Sequence, residues 1–149
     1  MQPAPLEAVA RSRWSSKVLA FEAVMMLALA RIDSARSAAH YTAILGKLDR
    51  EAASPTEEDE RTARRIGHIV LRVSRYMPFR AVCLQQAIAT RRMLRRRKVP
   101  ATVYLGVTPD LEKWGKSRDT AHAWVVSGSS VVSGLQGDLD ELIVVGRFA

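Results

Sequence analysis

Apolar residues recur at helical spacing through the first half of the chain and predict three helices there. The first covers about Trp14 to Arg31 and is dominated by Ala, Leu and Met, which favour helices. The second covers about Ala35 to Leu48, although Gly46 weakens its end. The third runs from Ser54 to near Tyr76. Its start carries three helix signals: a capping side chain, a proline suited to the first helical position, and a run of acids.

A fourth helix is predicted to begin close to Cys83 and to end before Pro100. Apolar residues at helical spacing build its buried side: Leu84, Ala87, Ile88, Met93 and Leu94. Six cations crowd its last turns, where they suit the negative end of the helix dipole: Arg91, Arg92, Arg95, Arg96, Arg97 and Lys98.

After this helix the pattern changes to short apolar runs separated by turn residues, which predict strands. They are Ala101 to Thr108, Thr120 to Ser127, Ser130 to Ser133 and Leu142 to Val145, with a hairpin turn at Gly128-Ser129. Helices followed by an antiparallel sheet indicate an α+β fold. We expect one domain over residues 1–149, with a helical front over about residues 1–77 and the fourth helix plus the sheet over about residues 78–149.

The composition is that of an ordinary globular protein, since 48% of the residues are apolar and 26% are charged, and we do not expect disorder. The formal net charge of +8 favours polyanions or acidic protein surfaces as partners, but it does not constrain the fold. The single cysteine excludes an intramolecular disulfide and fits a reducing compartment, so we expect a cytoplasmic protein.

The apolar run from Val18 to Leu29 raises the question of a targeting segment, because basic residues precede it and small residues stand at its end. Glu22 inside the run, and the distance of the basic residues from Met1, argue against a signal peptide. The run is also shorter than the ~20 apolar residues that a membrane span needs. We therefore expect a buried helix and no membrane span.

The candidate chemistry starts from Cys83, which is predicted to open an amphipathic helix. A helix N-terminus and a nearby imidazolium both stabilise a thiolate, and the N–H groups of the first turn can bind an oxyanion. His122 lies in a predicted strand, where it shares a face with Trp124 and Val126 and can face the start of a packed helix. That pairing suits nucleophilic catalysis. The alternatives are a small buried Cys83 and a hydrogen-bonded core His122.

A third group should orient the imidazole, and Asp138 is the candidate. With a two-residue hairpin turn, His122 would lie opposite Leu135 and leave Asp138 one position out of register. Gly134 and Gly137 permit a bulge that would turn Asp138 inward. The alternative is a loop aspartate that caps a turn. Trp124, on the face of His122, is the candidate to wall a substrate site, with core packing as the alternative.

Neither His40 nor His68 has metal-ligand spacing to the lone cysteine, so we predict no metal site. The glycines form no phosphate-binding loop, and we predict no cofactor. The six cations of the fourth helix are open to three interpretations: a solvated helix end, a site for an acidic peptide or partner, or a nucleic-acid surface. No aromatic cluster or reading motif accompanies them, so nucleic acid is not the expected partner.

Four stretches carry a family resemblance: Cys83-Leu84 at the start of a helix, Leu94–Arg97 at its end, and Val103–Val107 and Ala121–Val125 as strands. Through them the region from about Pro78 to Phe148 resembles the leader peptidase of lasso peptide biosynthesis, the protease half of a split B protein. That family is similar to the transglutaminase-like branch of papain-type folds, in which a cysteine on a helix and a histidine on a strand share the site.

The resemblance implies that Cys83 is the nucleophile and His122 the general base, with an acid on the following strand as the orienting group. Ser133-Gly134 stands about where that acid is expected, so either Asp138 replaces it or a Cys-His dyad operates. The implied role is removal of the leader from a ribosomally made precursor peptide. A small leader-binding protein presents that precursor, and an ATP-dependent cyclase then closes the ring. A transglutaminase- or amidase-type acyl transfer would use the same two residues.

Overall fold

The computed structural model describes residues 15–108, 121–134 and 142–149. These residues form four helices and four strands, which confirms the predicted α+β fold. The helices are α1 (Ser16–Ser34), α2 (Ala38–Leu45), α3 (Glu57–Ser74) and α4 (Cys83–Arg96). The strands are β1 (Thr102–Val107), β2 (Ala121–Ser127), β3 (Ser130–Ser133) and β4 (Ile143–Phe148). No helix in this part of the chain has the length and apolar character needed to cross a membrane.

The four strands form one antiparallel sheet in the order β3-β2-β1-β4. The predicted hairpin at Gly128-Ser129 joins β2 to β3. A bulge interrupts this pair, because Val126 lies opposite Val131 whereas Val125 lies opposite Ser133. The uniform register that would place His122 opposite Leu135 is therefore wrong, and Leu135 itself lies outside the described residues.

The start of α3 differs from the prediction by two residues. Thr56 caps the helix rather than Ser54, and Pro55 precedes the cap instead of occupying the first helical position. The Asp59 N–H donates to Thr56 Oγ1 at 3.1 Å, and the Asp59 carboxylate accepts the Thr56 N–H at 3.0 Å. This reciprocal pair satisfies two backbone donors, which Ser54 alone would not do.

The second helix is shorter than the predicted Ala35 to Leu48, because the chain leaves α2 at Gly46 to pair with the last strand. The Lys47 N–H donates to the Ala149 carbonyl at 2.9 Å, and Leu48 forms a bridge with Phe148. The residues after α2 therefore lie along β4 and help to cover one edge of the sheet.

The core lies where the helices pack against one face of the sheet. Side chains from all four helices and the inner strands meet there. The largest fully buried apolar ones are Leu27, Leu45, Ile66, Ile88, Met93, Leu94, Val70, Val103 and Val125. Packing between α3 and β3 is so close that a Cβ atom at Gly67 would overlap the carbonyl oxygen of Val132. This contact sets the distance between α3 and the β3 edge.

Four of the six cations near the end of α4 hold neighbouring helices. Arg92 forms an ion pair with Asp33 at 2.7 Å, and Arg96 and Arg97 both pair with Glu22. Arg91 Nε donates to the Leu45 carbonyl at 3.0 Å. Arg91, Arg92 and Arg97 are partly buried, so they do not form a solvated helix end. Arg96 is exposed and forms its ion pair with Glu22 at the surface.

Asp33 is buried between Arg92 and His40, whose Nε2 lies 2.8 Å from its carboxylate. Burial alone would raise the pKa of Asp33, but the hydrogen bond from His40 and the charge of Arg92 outweigh it and lower this pKa below 3.8. We expect Asp33→Asn to reduce the free energy of unfolding by roughly 2 kcal/mol at pH 7, because Arg92 loses its partner. Urea unfolding measures this difference.

The same comparison has a pH dependence of defined sign. A lowered pKa in the folded state stabilises the protein above pH 3.8, and this contribution is lost as the pH falls through the folded-state value. The difference between wild type and Asp33→Asn should therefore shrink in acid. Asp49→Asn, at an exposed position, is the matched control and should show no such difference. An unchanged difference at pH 3 would contradict this account.

Candidate active site

Cys83 is the first residue of α4, as the sequence predicts, and its side chain is half-buried. Val82 is extended before it, and the Val82 N–H donates to the Gln85 side chain at 3.3 Å. Gln85 in turn donates to Ser34 Oγ at 3.1 Å, which ties the start of α4 to the end of α1. The N–H groups of Cys83 and Leu84 belong to the first helical turn, where no preceding turn supplies a carbonyl partner. They are available for an anion beside the sulfur.

The start of α4 lies against the start of β2. The Cys83 thiol lies 3.9 Å from the carbonyl oxygen of Ala121, the residue that directly precedes His122. The structure thus brings the candidate nucleophile to the strand segment that carries the candidate base, although the two are 39 positions apart in the sequence. Within the described residues, no hydrogen bond joins the thiol itself to the imidazole.

His122 is half-buried on β2, and its Nε2 atom is shielded from solvent. It lies opposite Gly106 of β1, two positions before Trp124. Strand alternation places His122 on the face of Trp124, whereas Ala123 and Val125 lie in the core. The role of His122 as the base stays a prediction, because strand alternation sets it on the face opposite the core residues Ala123 and Val125.

A cleft of about 420 Å³ opens beside Cys83, between α3, the start of α4 and β3. Apolar and polar residues line it together: Arg64, Gly67, His68, Leu71, Cys83, Gln86 and residues 131–134. Sequence reasoning did not connect α3 with the site. A signal for it existed, since Arg64, Gly67, His68 and Leu71 follow helical spacing and share one face.

A family model of the transglutaminase-like superfamily matches residues 23–146, from α1 to β4. The chain belongs to this superfamily. The superfamily includes cysteine peptidases and transglutaminases, so the match supports cysteine-based acyl chemistry without fixing the acceptor. Searches of curated proteins and of solved structures returned no match.

The third group of this transglutaminase-like site stays a prediction. Asp138 lies outside the described residues. Ser133, which stands about where an acid was expected, lines the cleft with a buried Oγ that has no hydrogen-bond partner among the described residues. Gly134 follows with φ +90°, and a Cβ there would overlap the Ala123 carbonyl, so the chain passes close to β2 at this point. The described part of the cleft lining contains no carboxylate.

Trp124 is buried and stacks on Tyr104, with ring centroids 5.6 Å apart and an interplanar angle of 12°. Burial and the neighbouring Glu51 raise the pKa of Tyr104, so its phenol stays neutral at pH 7. This stack lies on the same face of the sheet as His122. The predicted contact between Trp124 and a substrate stays a prediction.

His40 and His68 lie in different parts of the molecule, the first in the ion-pair network of Asp33 and the second in the cleft. Within residues 15–108, 121–134 and 142–149, no three His, Cys, Asp or Glu side chains lie close enough together to hold a metal ion.

Proposed function

We propose that this transglutaminase-like domain is a cysteine peptidase that removes the leader from a ribosomally made lasso precursor peptide. The observation that carries the proposal is the position of Cys83, at a helix N-terminus and 3.9 Å from the backbone that leads into His122. The superfamily match supports the cysteine chemistry. The finer role rests on the Cys83-Leu84 start of α4 and the Ala121–Val125 strand, which resemble the lasso leader peptidases.

The reaction begins when the Cys83 thiolate attacks the carbonyl carbon at the junction of leader and core. The N–H groups of Cys83 and Leu84 bind the oxyanion of the tetrahedral intermediate. The C–N bond then breaks, and protonated His122 gives its proton to the leaving amine, which becomes the N-terminus of the core peptide. The leader remains attached to Cys83 as a thioester.

Hydrolysis completes the cycle. His122 takes a proton from water, and the resulting hydroxide attacks the thioester carbonyl. The C–S bond breaks, the leader leaves with a free carboxylate, and Cys83 regains its thiolate. Asp138 is proposed to orient His122, and Trp124 to wall the substrate site. A small leader-binding protein presents the precursor, and the freed core amine is the group that an ATP-dependent cyclase would use.

A second candidate is acyl transfer of the transglutaminase or amidase type, which the superfamily match also supports. It uses the same thioester but an amine, rather than water, as the acceptor. A nucleic-acid role is less favoured, because four of the six cations of α4 already bind α1 and α2.

The test combines the full chain with its leader-binding partner and precursor, and follows the products by mass spectrometry. We expect two fragments whose masses sum to that of the precursor plus one water, and no products with Cys83→Ala. A leader that instead carries an added amine would establish acyl transfer. Intact precursor, in a mixture where Cys83 still reacts rapidly with a thiol reagent, would overturn leader removal but leave cysteine chemistry standing.

A further inference from the structure

Helix α1 is apolar on both sides, although only one side lies in the core. Its inner side carries Leu19, Ala23, Leu27 and Ala30, all buried. Its outer side exposes six large apolar residues to solvent: Val18, Phe21, Val24, Met25, Leu29 and Ile32. Phe21 is 70% exposed and Ile32 is 54% exposed. A continuous exposed apolar face of this kind marks an interaction surface rather than ordinary surface scatter.

The spacing of this face indicates what shape of partner covers it. Val18, Phe21, Met25, Ala28 and Ile32 alternate in steps of three and four residues. That repeat produces one narrow seam along a helix, which is the pattern that packs against a single partner helix. We call these five residues the outer seam.

The charges around the outer seam indicate the chemistry of that partner. The acids of α1, Glu22 and Asp33, both point inward into ion pairs with α4. Its cations Lys17 and Arg31 remain exposed, although the Arg31 guanidinium also lies 5.7 Å from the centroid of the Phe79 ring. The outer side of α1 is therefore apolar and positive. Two copies packed antiparallel through this face would bring Lys17 of each close to Arg31 of the other, which is repulsive.

We propose that the outer seam docks an amphipathic helix of another protein, with apolar residues at three-and-four spacing and Asp or Glu beside them. This inference goes beyond the proposed function and does not depend on it. None of the described residues that line the Cys83 cleft belongs to α1, so the docked helix leaves the cleft open.

The probe is a fluorescent synthetic helix with Leu at its seam positions and Glu beside them, and its matched control carries Lys in place of Glu. We expect the Glu peptide to bind the full chain at least about tenfold more tightly than the Lys peptide at low salt, with the difference shrinking as salt rises. Phe21→Ser combined with Met25→Ser should weaken binding at least about tenfold. Tyr76→Ser, exposed elsewhere on the molecule, should leave it unchanged.

Equal binding of the two peptides, or binding that the seam variant does not weaken, would overturn the proposal. So would a dimer in sedimentation velocity that Met25→Asp converts to monomer, because the occupant would then be a second copy. Binding to vesicles of phosphatidylcholine and phosphatidylserine without binding to the Glu peptide would assign the face to a membrane. Unchanged thermal unfolding controls for folding, and Ile32→Gln replaces the double variant if that variant unfolds.

Discussion

Replacing His122 with alanine should slow the alkylation of Cys83 by a thiol-reactive peptide electrophile by roughly a hundredfold at pH 6. An imidazole beside a thiol stabilises the thiolate, which is the form that reacts with the electrophile, so losing the imidazole should slow the reaction. Because the chain has one cysteine, intact-protein mass spectrometry gives the rate directly from the singly labelled fraction.

The matched control is His68→Ala, which removes the other histidine near the cysteine. His68 lines the same cleft as Cys83 but lies on α3. The His68→Ala variant should change the alkylation rate of Cys83 by less than about threefold, since His68 is not the proposed proton acceptor. A collapse of the rate in His68→Ala with normal labelling of His122→Ala would transfer the role of base to His68. Slow and equal labelling of wild type, His122→Ala and His68→Ala would show that Cys83 is not activated and serves only in packing.

The second large effect is expected at Gly67, where alanine should lower the free energy of unfolding by roughly 3 kcal/mol. In an exposed helix interior the same change would stabilise by about 1 kcal/mol, because glycine is the poorer helix former. The sign reverses here because a Cβ at Gly67 would overlap the Val132 carbonyl. The Cβ is fixed to the backbone of α3 and the carbonyl is part of the backbone of β3, so a side-chain rotation cannot relieve the overlap. The helix and the strand must move apart instead.

Urea unfolding measures the effect, and His68→Ala is again the control, as the adjacent, exposed position on the same helix. It should change stability by less than about 0.5 kcal/mol. Gly67→Ala should also slow the alkylation of Cys83, because residues 131–134 line the cleft and move with β3. A Gly67→Ala protein more stable than wild type would show that α3 and β3 do not approach this closely.

Local patterns predicted most of the fold. The start of α4 at Cys83 was placed correctly, because a proline-containing segment ends one helix and apolar residues at helical spacing begin the next. The strands were found from their alternation and from the Gly128-Ser129 turn. The cap of α3 was placed at Ser54 instead of Thr56, since the decisive partner of the cap is the side chain of Asp59 three residues later.

Features that depend on distant residues were out of reach. Helical spacing shows which side of α4 is polar, but not that Arg97 meets Glu22, which is 75 positions away. The bulge opposite Val125 and Val126 falls in β3, whose residues Ser130–Ser133 include no glycine or proline that would signal it.

The site divides in the same way. Cys83 and His122 were proposed from their own segments, and the structure brings those segments together. The contribution of α3 to the cleft was missed, because it requires the packing of Gly67 on β3. Asp138 remains a prediction, since it lies outside the described residues.

The inward acids of α1 have a consequence for how this helix is oriented about its own axis. A helix that is apolar on both sides has little hydrophobic preference for which side it turns inward. Glu22 and Asp33 supply that preference. If the helix rotated by half a turn, both carboxylates would lose their ion pairs with Arg92 and Arg97. The charges thus select a single rotational setting for α1, and by doing so they decide which apolar face the molecule presents to its surroundings.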